Sequence, residues 1–137
     1  LGLAAPQVYA SERVILVQQV HADGTVDRLG DPLVLINPSI AAVGNLRESA
    51  FEGCLSIPGL RGLVPRFVHL AVEAIDLEGR PLAFEAQGLY AHVLQHEVDH
   101  LDGILYPAKL EHPAHMAFDS ELSALSRFLF ESTPLQD

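Results

Sequence analysis

The chain has 137 residues, 49% of them hydrophobic, and a formal net charge of −10 at pH 7. Its length and apolar content suit one domain with a real core and exclude general disorder. Its eight scattered Lys and Arg argue against a nucleic-acid substrate, and no run approaches the roughly 18 apolar residues of a membrane span, so a soluble protein without a membrane partner is expected.

In chain order, Leu1 leads straight into GLAAPQ, which reads as the middle of an element, so an upstream segment is expected to be missing. Residues 2–10, with Gly, Ala and Pro, suit an ordinary tight connection into a strand or, alternatively, a backbone that approaches a neighbour or ligand closely. RVILVQQV (13–20) is rich in β-branched residues and predicts a buried strand, followed by a turn at Asp23-Gly24. PLVLINPSI (32–40) predicts a second strand bent at Asn37-Pro38. Residues 44–53 begin as a loop and become extended. EGCLSIPGLRGLVPR (52–66), with three Gly and two Pro around the only cysteine, predicts a shaped loop. Residues 69–87 alternate Leu70, Val72 and Ala74 against His69, Ala71 and Glu73, break at Glu78-Gly79 and resume at Leu82 and Phe84, which predicts a hairpin.

Helical periodicity starts at Gly88: Leu89, Val93, His96 and His100 form one stripe, Leu94 and Leu101 broaden it, and Gly103 ends it. Residues 104–110 read as a short extended piece. From Pro113 to Glu131, Phe118, Leu122, Leu125 and Leu129 predict a terminal helix.

The chemistry is concentrated in QHEVDHLDG (95–103). His96 and His100 lie four apart, so a helix sends both imidazoles off one face, where they can share a metal ion. Glu97 beside them suits a general base that takes a proton from water. HExxH alone also arises by chance, so the third ligand matters. The longer metzincin pattern holds as far as Gly103 and then meets Tyr106 in place of histidine. Glu111 and Glu121 are zincin-type alternatives, whereas His112 and His115 beside Pro113 suit a cap or the surface. Cys54 is the remaining candidate, because thiolate is a strong donor; the inert buried thiol is its competing reading. The lone cysteine rules out an internal disulfide and fits a reducing compartment.

EGCLS (52–56), QHEVDHLDG (95–103) and GLAAPQ (2–7) together resemble, in order, the three signature motifs of peptide deformylases. The resemblance implies an α+β fold: antiparallel β-sheets packed around a central metal-binding HExxH helix, with a C-terminal helix, residues 1–137 forming one catalytic domain. It implies one divalent ion on Cys54, His96 and His100, usually iron(II), with zinc or nickel able to replace it. The implied reaction is hydrolysis of the N-formyl group from the initiator methionine of new polypeptides, with Glu97 as base, and Gln7 and the Leu55 N–H as oxyanion donors. Leu1, Gly2 and Gly53 would bind the substrate backbone, and Arg61, Leu89, His92 and Val93 would border the methionine pocket. Asp99 and Asp102 are candidates for orienting the ligands, with a solvent-facing helix position the competing reading for Asp102. Implied partners are N-formylmethionyl nascent peptides and, transiently, the ribosome, although Asp119, Glu121 and Glu131 against Arg127 argue against docking through the terminal helix. Bacterial-type cytoplasm is the expected location, an organelle the alternative. The family normally carries about forty further upstream residues. A zinc peptidase and an inactive metal-binding paralogue are the competing functions.

Overall fold

The computed structural model describes residues 1–21 and 23–130. Among them, eight strands and two α-helices follow in the order β1 (Gly2–Ala4), β2 (Val14–Val17), β3 (Leu33–Ala42), β4 (Arg47–Cys54), β5 (Ile57–Phe67), β6 (His69–Ile75), β7 (Pro81–Gln87), α1 (Gly88–Leu101), β8 (Met116–Phe118) and α2 (Leu122–Phe130). Antiparallel sheets with a C-terminal helix make this an α+β chain, as expected. Its described residues divide into two compact units, one built from Leu1–Glu48 and Arg66–Leu105, the other from Ser49–Pro65 and the chain after Leu105.

The first unit holds an antiparallel sheet of order β1-β2-β3-β6-β7. Its apolar positions alternate with the pleat, so Ile15, Val17, Leu35, Leu70 and Val72 are essentially buried. The bend expected at Asn37-Pro38 is real. Asn37 takes a left-handed φ of 50°, Pro38 has no N–H to give, and the β3–β6 register shifts between Ile36 and Ser39. The hairpin β6–β7 pairs His69 with Gln87 through Ile75 with Pro81. Its turn is closed by Asp76 Oδ1, which accepts from the N–H groups of Glu78 and Arg80.

Helix α1 lies on this sheet, against β1, β2, β6 and β7. Ala91, Leu94 and Val98 join the core, at about 1.5–3 kcal/mol for a fully buried leucine side chain. The expected stripe holds in part. Val93 and Leu94 of the expected stripe are buried, but Leu89 is 43% exposed, and Ala91 and Val98, outside that stripe, complete the core side. The helix ends as expected: Gly103, at φ 73°, donates to the His100 carbonyl, and Ile104 N–H reaches the Asp99 carbonyl.

The second unit carries a sheet of order β4-β5-β8, in which Leu60, Arg61 and Gly62 face Phe118, Ala117 and Met116. Residues 52–66 are thus mainly strand, with only a tight turn at Leu55-Ser56, rather than a shaped loop. Gly62 serves close packing there, since a Cβ on it would stand 2.8 Å from Leu110 and 2.9 Å from the Tyr106 ring, whereas Gly59 takes a left-handed φ of 81° in open space. Residues 104–110 are not extended, since Tyr106–Lys109 forms a 3-10 turn. The terminal helix starts later than expected. Pro113–His115 and Asp119–Glu121 are 3-10 turns around β8, and Phe118, counted toward the helix, pairs in the sheet instead. Glu131 lies outside the described residues. No helix among the described residues is long and apolar enough to cross a membrane.

Candidate metal centre

The helix does what the four-residue spacing requires. The Nε2 atoms of His96 and His100 face each other at 3.2 Å, with ring planes 76° apart. Two imidazole nitrogens bound at 2.0–2.1 Å to one tetrahedral ion stand about 3.3 Å apart, so the pair fits a shared cation. His100 is buried, at 6% exposure, and His96 is partly buried. Glu97, 4% exposed, places Oε1 4.0 Å from His96 Nε2.

Strand β1 comes directly against this carboxylate. A Cβ built on Gly2 would lie 2.7 Å from Glu97 Cγ and 3.0 Å from Oε1, so only glycine lets the strand and the acid coexist undisturbed. After β1 the chain turns through a 3-10 segment, Ala5–Val8, with Pro6 near its start. Gln7 is oriented by that turn. Its Oε1 accepts the Ala4 N–H at 2.8 Å, which assigns the other end of the amide, Nε2, as the donor. Leu1 is 45% exposed, and its carbonyl accepts from Gln18 N–H.

In the second unit Cys54 ends β4, half-buried, and its Sγ accepts the Ser56 N–H at 3.4 Å. Between them Leu55 projects into solvent at 85% exposure. Gly53 lies against Arg61, whose guanidinium would be 2.7 Å from an added Cβ, and Arg61 in turn pairs with Asp119 at 2.9 Å. Tyr106, the residue that broke the metzincin pattern, is buried, and burial first and the neighbouring Cys54 second push its phenol pKa up.

The remaining candidates have structural placements of their own. His92 is half-buried and Val93 packs in the core cluster of the first unit. Asp99 pairs with Arg66, and Asp102 pairs at the surface with Arg13, which also donates to the Leu101 carbonyl. Glu111 and Glu121 are exposed; His112 caps the 3-10 turn by accepting the Ala114 N–H, as a cap reading expects. Two residues of consequence were missed, Arg66 and Gln95. Gln95 had a signal: it is a polar residue between Ala91 and Val98 on the buried side of a helix, where it needs partners.

Two facing imidazoles with a buried carboxylate beside them make a candidate metal site of the HExxH class. The polypeptide deformylase family model matches residues 1–115, and the chain belongs to that family. It is 48% identical over 114 residues to a peptide deformylase of Thermomicrobium roseum, covering 81% of this chain and 62% of that protein. It is 44% identical to peptide deformylase 1 of Nitrosomonas europaea, covering 80% and 62%. The chain thus spans about three-fifths of the length of these curated relatives. Among solved structures, a Met-Ala-Ser-bound class I type b peptide deformylase from Acinetobacter baumannii superposes with TM-score 0.70 at 37% identity, covering 80% of this chain and 69% of that one. A Synechococcus elongatus peptide deformylase in complex with actinonin gives TM-score 0.70 at 39% identity, covering 90% and 60%.

Proposed function

We propose that this protein is a metal-dependent hydrolase that removes the N-formyl group from the N-terminal formylmethionine of newly made polypeptides. The observation that carries the reading is the His96–His100 pair, with nitrogens 3.2 Å apart and Glu97 buried beside it, in a chain of the deformylase family.

Cys54, His96 and His100 would hold one divalent ion, iron(II) by family resemblance, with zinc or nickel as replacements. When bound, that ion supplies Lewis acidity that makes water a nucleophile near neutral pH and polarises the formyl oxygen. Glu97 takes the proton of the attacking water as the oxygen adds to the formyl carbon. It returns that proton to the leaving nitrogen as the C–N bond breaks, so formate and a free amino terminus result. The amide of Gln7 and the backbone N–H of Leu55 donate to the oxygen on which negative charge builds. Leu1, Gly2 and Gly53 bind the peptide backbone, and Arg61, Leu89, His92 and Val93 border the methionine side chain.

In the same reading residues 1–137 belong to one catalytic domain with both sheets packed around α1. It works on nascent peptides in a bacterial-type cytoplasm, and its acidic terminal segment does not serve as a ribosome contact. The test is release of formate from a formylmethionyl peptide by protein loaded with iron(II) without oxygen. Activity is expected to vanish in Glu97→Ala. Equal activity in that variant removes the mechanism, and peptide-bond cleavage that survives Cys54→Ser assigns a zinc peptidase instead.

A further inference from the structure

A three-residue segment, Arg66–Val68, holds α1 at three places along its length. The Gly88 N–H donates to the Val68 carbonyl at 2.9 Å as the helix begins. Two turns on, the Gln95 side chain grips both polar groups of a single residue. Its Oε1 accepts the Phe67 N–H at 3.0 Å, and its Nε2 donates to the Phe67 carbonyl at 2.8 Å and to the Ala91 carbonyl at 3.0 Å. One further turn on, Asp99 pairs with the buried Arg66.

The grip is well suited to fixing rotation. Gln95 is 6% exposed, and its amide satisfies a peptide at the junction where β5 ends and β6 has not begun, so it replaces a missing strand neighbour. Gln95 and Asp99 are four apart, and each immediately precedes one of the histidines, His96 and His100. The anchored stripe and the metal-facing stripe are thus the same helix turns seen about 100° apart. Rotating a helix by 10° moves an atom about 6 Å from its axis by roughly 1 Å. Displacement of that size at a reacting centre is worth about a hundredfold in rate.

We infer that Gln95, through its clamp on the Phe67 peptide, is a positioning residue that sets the rotation of α1 and so the alignment of His96, His100 and Glu97. The inference deepens the proposed function and, for its rate consequence, rests on it.

The test uses the full chain carrying Gln95→Met, which keeps length but loses all three bonds, and Gln95→Glu, which keeps only the bond from Phe67 N–H. Each is read by the visible spectrum and affinity of bound cobalt(II), by kcat and KM for formate release, and by the urea midpoint. Gln95→Met is expected to change the cobalt bands, bind cobalt about tenfold more weakly and lose about 10- to 100-fold in kcat, with KM within about threefold. Gln95→Glu is expected to fall between it and the parent. A Gln95→Met protein whose urea midpoint drops while cobalt spectrum and kcat match the parent overturns the inference. If that variant does not fold, an unaltered cobalt spectrum in Gln95→Glu overturns it equally. A parent that binds cobalt but releases no formate overturns the deformylase reading alone, and the spectra still decide on Gln95. A parent that binds no cobalt overturns both.

Discussion

Gly2→Ala is the sharpest probe of how the base is seated. Gly2 is not among the residues with a left-handed φ, so alanine can adopt its backbone conformation, and the effect comes from the added methyl alone. That methyl would sit 2.7 Å from Glu97 Cγ where ordinary contact begins at 3.4 Å, so the side chain must yield by about 0.7 Å. Glu97 is nearly buried and has little room to yield without leaving its rotamer. Overpacking of this kind costs about 1–3 kcal/mol. It also moves the carboxylate by most of an ångström, which should lower kcat for formate release by about 10- to 100-fold. His96 and His100 are untouched, so metal content should stay at one equivalent. The stability arm is a double-mutant cycle followed by urea unfolding. In a Glu97→Ala background the clashing atoms are gone, and Gly2→Ala should cost less than about 0.5 kcal/mol, leaving a coupling of about 1–2 kcal/mol. An equal cost in both backgrounds, or parent-like kcat in Gly2→Ala, would refute the steric argument.

Replacing Cys54 with serine should lower metal affinity by at least tenfold and abolish formate release, measured by metal analysis after dialysis beside the activity assay; full retention of both removes Cys54 from the ligand set. Asp99→Asn removes one charged partner of buried Arg66 and should destabilise the protein by about 1–3 kcal/mol in urea unfolding, whereas a change under about 0.5 kcal/mol would mean the pair contributes little. Burial raises the phenol pKa of both Tyr90 and Tyr106 above the ordinary 10.0. Because the unfolded chain loses those protons first, stability should be flat below about pH 10 and fall above it. The doubly substituted Tyr90→Phe, Tyr106→Phe protein should show a shallower alkaline fall in unfolding midpoint, and an unchanged slope would contradict that assignment.

The resemblance of three short motifs to one family was legible in the sequence, and the match over residues 1–115 agrees with it. So were the hairpin between His69 and Gln87, the bend at Asn37-Pro38 and the stop at Gly103, because each follows from backbone chemistry that a few neighbouring residues settle. The HExxH spacing likewise forced both imidazoles to one side of a helix before any contact was known. Less legible was everything set by partners distant in sequence. Residues 52–66 look like a loop by composition because glycine is normally read as freedom, yet Gly53 and Gly62 are there to admit Arg61 and Tyr106. Phe118 fits a helical period but was claimed by strand pairing with Leu60. The stripe of α1 was legible only in part, with Val93 and Leu94 buried but Leu89 exposed, since periodicity cannot tell a side that faces a core from one that faces a ligand. The sequence by itself determined which groups could do chemistry. Tertiary structure alone decided that Gly2 seats Glu97 and that Phe67 anchors Gln95, because steric clearance and the pairing of buried peptide groups exist only between segments that folding has brought together.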